Sequence, residues 1–178
     1  NSNFQAITDC KSIRSLSLDF KHFNKEKIEV YGRFLEDFPR IPLQEVNIKI
    51  AKRRFKAAGD LVVAVAHFLE NVKPANLSID FGIIEFSKMT YIIEAVSVFR
   101  HKLQKLDIFI RLKELEAKAL ENLSEFLLEP ERLKRLSLRV LSTDVKVSRI
   151  SKTFSKRIAG AVKLEEIVFE FRSEEHTS

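Results

Sequence analysis

The stretch LKRLSLRVL, from Leu133 to Leu141, places leucine at its first, fourth, sixth and ninth positions. Stretches with the same apolar positions recur along the whole chain at regular intervals. The other copies are IRSLSLDF from Ile13, LQEVNIKI from Leu43, PANLSIDF from Pro74, LQKLDIFI from Leu103 and LEEIVFEF from Leu164. Because consecutive copies begin 29 to 31 residues apart, we interpret the chain as an array of one repeated unit.

Each copy predicts a β-strand, because apolar residues at its fourth, sixth and eighth positions alternate with other residues. Between copies the apolar spacing becomes helical, as in residues 61–72 and 89–99. The predicted helix starts are Asn24, Asp60 and Ser87, since their short polar side chains can cap a first turn. The predicted strands are residues 15–20, 45–50, 76–81, 105–110, 135–140 and 166–171.

A strand and a helix of about thirty residues cannot bury both of their apolar faces alone, so neighbouring units are expected to stack. The pattern resembles the leucine-rich-repeat family, and is similar to its ribonuclease-inhibitor-like branch, from about Cys10 to Phe171. The resemblance implies an α/β fold, a right-handed solenoid with parallel strands on the concave face and helices on the convex face. We predict a single leucine-rich-repeat domain over residues 1–178, with five to six repeats of 29–31 residues. The fourth positions should form one buried row, consisting of Leu16, Val46, Leu77, Leu106, Leu136 and Ile167.

The ninth position departs from the family pattern, in which Asn or Cys usually forms a hydrogen-bonded ladder. This sequence instead has Lys21, Ala51, Gly82, Arg111, Leu141 and Arg172. The eighth position is apolar in every copy, and we expect it to extend the buried side of each strand. The turns that follow the strands are therefore expected to differ from those of typical repeats.

The composition is that of a globular protein without disulfides, since 45% of the residues are hydrophobic and Cys10 is the one cysteine. The apolar run LVVAVAHFL, residues 61–69, is too short for a membrane span and contains a histidine. These features predict an intracellular, cytoplasmic protein with no membrane span. The first residues, NSNFQAITDC, have no initiating Met and no signal-peptide pattern, so we expect a fragment of a longer chain.

The sequence offers no motif for catalysis or for a cofactor. Its glycines are isolated, so no phosphate-binding loop is expected, and no serine lies in a nucleophile-elbow motif. The histidines lie in different units and none is paired at metal-ligand spacing: His22, His67, His101 and His176. Cys10 occupies a position that related repeats often bury, and we expect it in the core. We predict a protein that is not an enzyme and takes no cofactor, metal or small-molecule ligand.

The seventh position of each copy is expected to face the inner curve of the solenoid. Its residues are Asp19, Lys49, Asp80, Phe109, Arg139 and Glu170. Carboxylates there could act as acids or bases, but charges of alternating sign on strands about 4.8 Å apart are expected to neutralise one another. Phe109 is the exception. With Lys105, Asp107, Arg135 and Arg139 it forms a predicted partner-binding patch that has an apolar centre and a charged rim.

The formal net charge of +6 is concentrated in turns that leave the strands, above all at Lys52, Arg53 and Arg54. Such turns share one edge of a solenoid, which predicts a basic strip for an anionic partner, either RNA or an acidic protein segment. A solvated charged rim explains the same residues without any partner. Two functions stay open: a protein-interaction scaffold, and an RNA-associated structural subunit of a large assembly. The repeat architecture and the lack of RNA-binding motifs favour the scaffold.

Overall fold

The computed structural model describes residues 12–20, 25–50, 58–83, 86–112, 132–142 and 165–173. Within these ranges six strands form one parallel sheet, in which each strand pairs with the next strand of the sequence. The elements are β1 (Ser15–Phe20), α1 (Lys25–Glu36), β2 (Glu45–Ile50), α2 (Ala58–Val72), β3 (Asn76–Ile83), α3 (Phe86–Phe99), a 3-10 turn (Arg100–Lys102), β4 (Lys105–Leu112), β5 (Arg135–Ser142) and β6 (Glu166–Ser173). The predicted α/β fold with a parallel sheet is confirmed.

The register of the sheet joins the same position of neighbouring repeats. Leu16 lies opposite Val46, Val46 opposite Leu77, and Leu77 opposite Leu106. All six strands begin at the predicted residue, because the alternation of apolar and polar side chains begins there. The last four strands continue two residues further than predicted, since the hydrogen bonds of a ladder join backbone groups and do not require an alternating pattern.

The core is one cluster that combines the apolar sides of the strands with the apolar sides of the helices. In the row of fourth positions, Val46, Leu77, Leu106 and Leu136 are at most 1% exposed. Leu16 is half-buried, because β1 pairs with one strand of the described sheet and the next four strands pair with two. The side chain of Ile167 lies outside the described part of the chain.

Packing between the first two helices involves aromatic rings at the end of α1. Phe38 follows α1 and its ring meets that of Phe68 on α2 edge to face, with ring centroids 5.0 Å apart. Phe34 meets Phe38 in the same way at 5.5 Å. Edge-to-face pairs add about 0.5–1.5 kcal/mol to the free energy of burial. These rings therefore hold neighbouring repeats together on the helical side of the core.

Two of the predicted helix starts are wrong by one or two residues. α2 begins at Ala58, so Asp60 lies in its first turn, and α3 begins at Phe86, which places Ser87 second. Ala58 is a strong helix former that lengthens α2 at its start. Asn24 lies outside the described residues, as does Cys10.

Candidate functional site

The outward side of the sheet carries three rows of side chains that the core does not use. They alternate with the buried rows, because successive residues of a strand point to opposite faces. The register aligns Ser15, Glu45, Asn76, Lys105, Arg135 and Glu166 in the first row; Ser17, Asn47, Ser78, Asp107, Ser137 and Val168 in the second; and Asp19, Lys49, Asp80, Phe109, Arg139 and Glu170 in the third.

Five residues predicted to bind a partner lie together on two adjacent strands of this side. β4 contributes Lys105, Asp107 and Phe109, and β5 contributes Arg135 and Arg139. Lys105 lies opposite Arg135, and Phe109 lies opposite Arg139. We call these five residues the sheet patch.

Phe109 is half-buried rather than fully exposed, because Arg139 covers part of it. The central guanidinium carbon of Arg139 lies 5.8 Å from the centroid of the Phe109 ring, within the range of a cation–π interaction. Nη2 of the same guanidinium donates to both oxygens of Asp107, at 3.4 and 3.5 Å. The aromatic ring and the two charged groups therefore form one contiguous unit.

The position of the Arg139 side chain has a cost in free energy. Its Nε is buried and has no hydrogen-bond partner in the part of the chain that the structure describes. A buried donor without a partner typically costs about 1–3 kcal/mol. The Arg139 side chain as a whole is 43% exposed, so the long bonds to Asp107 are largely screened by solvent. Folding alone gives little reason for an arginine at this position.

The remaining cations of the patch differ in their partners. Arg135 forms an ion pair with Glu166 of the neighbouring strand β6, and both side chains are about half-exposed. Lys105, by contrast, has no carboxylate within ion-pair distance anywhere in the described ranges. Lys105 is therefore a cation of the patch that can form an ion pair with a carboxylate of another molecule.

A β-bulge shapes the neighbouring strand next to Phe109. Asp80 lies opposite Phe109, but Ile83 lies opposite Arg111, so β3 contains one extra residue between these pairs. Gly82 has φ 59°, a left-handed conformation that glycine adopts without strain. The backbone N–H of Gly82 donates to Oδ1 of Asp80 at 3.0 Å. The bulge thus turns the Asp80 carboxylate toward its own strand.

In the third row, the hydrogen bonds and ion pairs of Asp80 and Arg139 do not join them to a charged neighbour of the same row. Lys49 lies between Asp19 and Asp80 in the register, yet it forms no ion pair with either. Asp80 accepts the bond from Gly82 instead. Arg139 pairs diagonally with Asp107, which belongs to the second row. Ion pairs therefore occur both along a row, at Arg135 and Glu166, and diagonally between rows, at Arg139 and Asp107.

The predicted basic strip at Lys52, Arg53 and Arg54 lies outside the described residues. A different group of cations is visible at the opposite edge of the sheet, the edge that is formed by the amino-terminal ends of the strands. We call this group the amino-end cluster, and it consists of Lys73, Arg100, Lys102, Arg132 and Lys134. Sequence reasoning missed it because it considered only the turns that leave the strands. The available signal was a basic residue directly before the first position of a repeat, at Lys73, Lys102 and Arg132.

Comparison with known proteins adds no family to these observations. No protein-family model and no curated protein sequence matches the chain. In the residues that the structure describes, no helix is both long enough and apolar enough to cross a membrane. The same residues include no group of three or more His, Cys, Asp or Glu placed to hold a metal ion.

Proposed function

We propose that this chain is a non-catalytic, intracellular protein-interaction scaffold that binds a protein partner through the sheet patch. We further propose that its repeats belong to the leucine-rich-repeat type and form a right-handed solenoid. The handedness rests on the rule that strand–helix–strand connections in a parallel sheet are nearly always right-handed. The repeat type rests on the regular apolar positions and on the pairing of each strand with the next.

Phe109 is the observation that carries the proposal. Among the described residues of the three outward rows it is the one aromatic side chain, and it lies beside charged groups. An aromatic ring with a rim of charged side chains is the usual anatomy of an interaction hot spot. The Arg139 guanidinium stacks over the ring and loses a hydrogen bond at Nε, which supports a role in binding better than a role in stability.

The chemistry of the patch also restricts the partner. A partner must place an apolar group against the uncovered part of the Phe109 ring. It must also place a carboxylate beside Lys105, within a few ångströms of that apolar group. Arg135 and Arg139 already have carboxylate partners in Glu166 and Asp107. We therefore expect a partner surface with one apolar side chain and an Asp or Glu beside it.

The test is a comparison of Phe109→Ala with Val168→Ala. Val168 lies in the second outward row, on β6, and is 41% exposed, so its loss controls for a small apolar change on the same side. The chain is used to capture partners from native extract, and the dissociation constant of the purified partner is then measured by calorimetry. We expect Phe109→Ala to weaken binding by on the order of 2 kcal/mol, about 30-fold, and Val168→Ala to change it by about threefold at most.

Thermal unfolding of both variants separates binding from packing. Because the ring is half-buried, Phe109→Ala should lower the free energy of unfolding by about 1 kcal/mol. A variant that is destabilised but binds the partner as well as the original chain does would show that Phe109 only packs. That result would remove the sheet patch as the binding surface.

A further inference from the structure

The amino-end cluster is built by the same register that aligns the strands. The backbone N–H of Gln104 donates to the carbonyl of Ala75 at 2.8 Å, and that of Lys134 donates to Gln104 at 2.9 Å. These bonds extend the ladder one residue before each strand. Lys102 and Arg132, each two residues before one of these donors, therefore occupy equivalent places on adjacent repeats.

Lys73 occupies the equivalent place on the preceding repeat, because Asn76 lies opposite Lys105 just as Lys105 lies opposite Arg135. Three consecutive repeats thus present a cation at the same point of the edge. Lys102 and Arg132 are exposed, and Lys73 is partly exposed. The row can be reached by another molecule along its length.

Three of the five cations of the cluster have no ion-pair partner in the described part of the chain: Lys73, Lys102 and Arg132. Lys134 pairs with Glu165 at 2.9 Å, and both side chains are largely exposed. Like charges at equivalent places of adjacent repeats repel one another, so the row gives the fold no electrostatic stabilisation.

The backbone of Lys73 supplies an independent observation. Its φ is 47°, in the left-handed region that side chains other than those of Gly, Asn and Asp rarely adopt. The residue ends α2, and its N–H donates to the carbonyl of Leu69 at 2.9 Å, a position where glycine is usual. Closing the helix in this way requires a left-handed residue but not a lysine. A charged residue kept in this strained conformation at an exposed edge is consistent with a binding role.

We propose that the amino-end cluster binds an acidic segment of a protein, rich in Asp or Glu. Charge complementarity favours an anionic partner. Single-stranded nucleic acid is less suitable, because such ligands bind through aromatic side chains that stack on the bases. The apolar residues beside the cluster, Phe99, Leu103 and Leu133, are at most 1% exposed and offer no such surface. This surface adjoins the sheet patch, since Lys134 directly precedes Arg135, and it extends the proposed scaffold function to a second contact.

The test compares two charge reversals that lower the net charge of the chain equally. Lys102→Glu with Arg132→Glu removes the centre of the cluster. Lys49→Glu with Lys88→Glu is the control variant, which reverses one cation near the end of β2 and one in the first turn of α3, away from the edge. The probe is a labelled Glu-rich peptide, and its affinity is measured by fluorescence anisotropy at several salt concentrations. Circular dichroism and thermal unfolding establish that both variants fold.

We expect the cluster variant to bind the peptide roughly tenfold more weakly, with a flatter salt dependence, and the control variant to lose much less. Equal losses in the two variants would attribute binding to net charge alone and overturn the proposal. Tighter binding of a single-stranded RNA of the same charge would overturn it as well. Phe109→Ala should bind the peptide normally, so failure of this proposal can be distinguished from failure of the sheet patch.

Discussion

The two sides of the same strands differ in how uniform their rows are. On the inward side, the row of fourth positions is Leu or Val in every described side chain, and four of its members are almost fully buried. On the outward side, the third row mixes acidic and basic residues with Phe109. Stacking requires a uniform apolar row, because each side chain must pack against the same position of the next repeat. It places no such demand on the outward rows, which are free to serve binding.

The largest effect should come from a change on the inward side in the middle of the sheet. Leu106 is 0% exposed, and β4 pairs with strands on both sides. Leu106→Ala should lower the free energy of unfolding by about 2–5 kcal/mol, because it leaves a cavity among packed side chains. Urea denaturation measures the difference. A loss below about 1 kcal/mol would mean that this row does not carry the stability of the fold.

A second leucine of the same row sharpens the comparison, since it differs in position alone. Leu16 lies on β1, which pairs with one described strand, and its side chain is half-buried. Leu16→Ala should cost about 1 kcal/mol, because less apolar area returns to water than at Leu106. Losses of equal size in the two variants would contradict the idea that burial depends on the number of neighbouring repeats.

The smallest effect should be a gain in stability at the edge of the sheet. Lys73→Gly removes the strain of the left-handed backbone but raises the conformational entropy of the unfolded chain. We expect the free energy of unfolding to increase by about 0.5 kcal/mol. Lys102→Gly, at the equivalent place on the next repeat, removes the same charge but should be destabilising, because Lys102 lies in the 3-10 turn. If both substitutions destabilise the protein, strain at Lys73 is not significant. If Lys73→Gly is more stable but binds the acidic peptide more weakly, Lys73 contributes to binding at the expense of stability.

The sequence by itself determined the repeated unit, the first residue of each strand and the parallel order of the sheet. It did so because the repeat length is constant and the apolar residues of each strand alternate with a period of two, a pattern that can be read within each repeat alone. The identity of the apolar rows followed from the same pattern. Five residues of the sheet patch could be chosen in advance, since alternation alone decides which side of a strand they share.

Only the tertiary structure decided how the outward side chains meet. The diagonal pair of Arg139 and Asp107, the half-burial of Phe109 beneath that arginine and the bulge at Gly82 depend on neighbours that the register brings from about one repeat away. The row of Lys73, Lys102 and Arg132 arises in the same way, because these cations are about thirty residues apart in sequence and occupy equivalent places on consecutive repeats. A repeat specifies its own two faces, whereas contacts between charged side chains depend on which residue the next repeat places beside them.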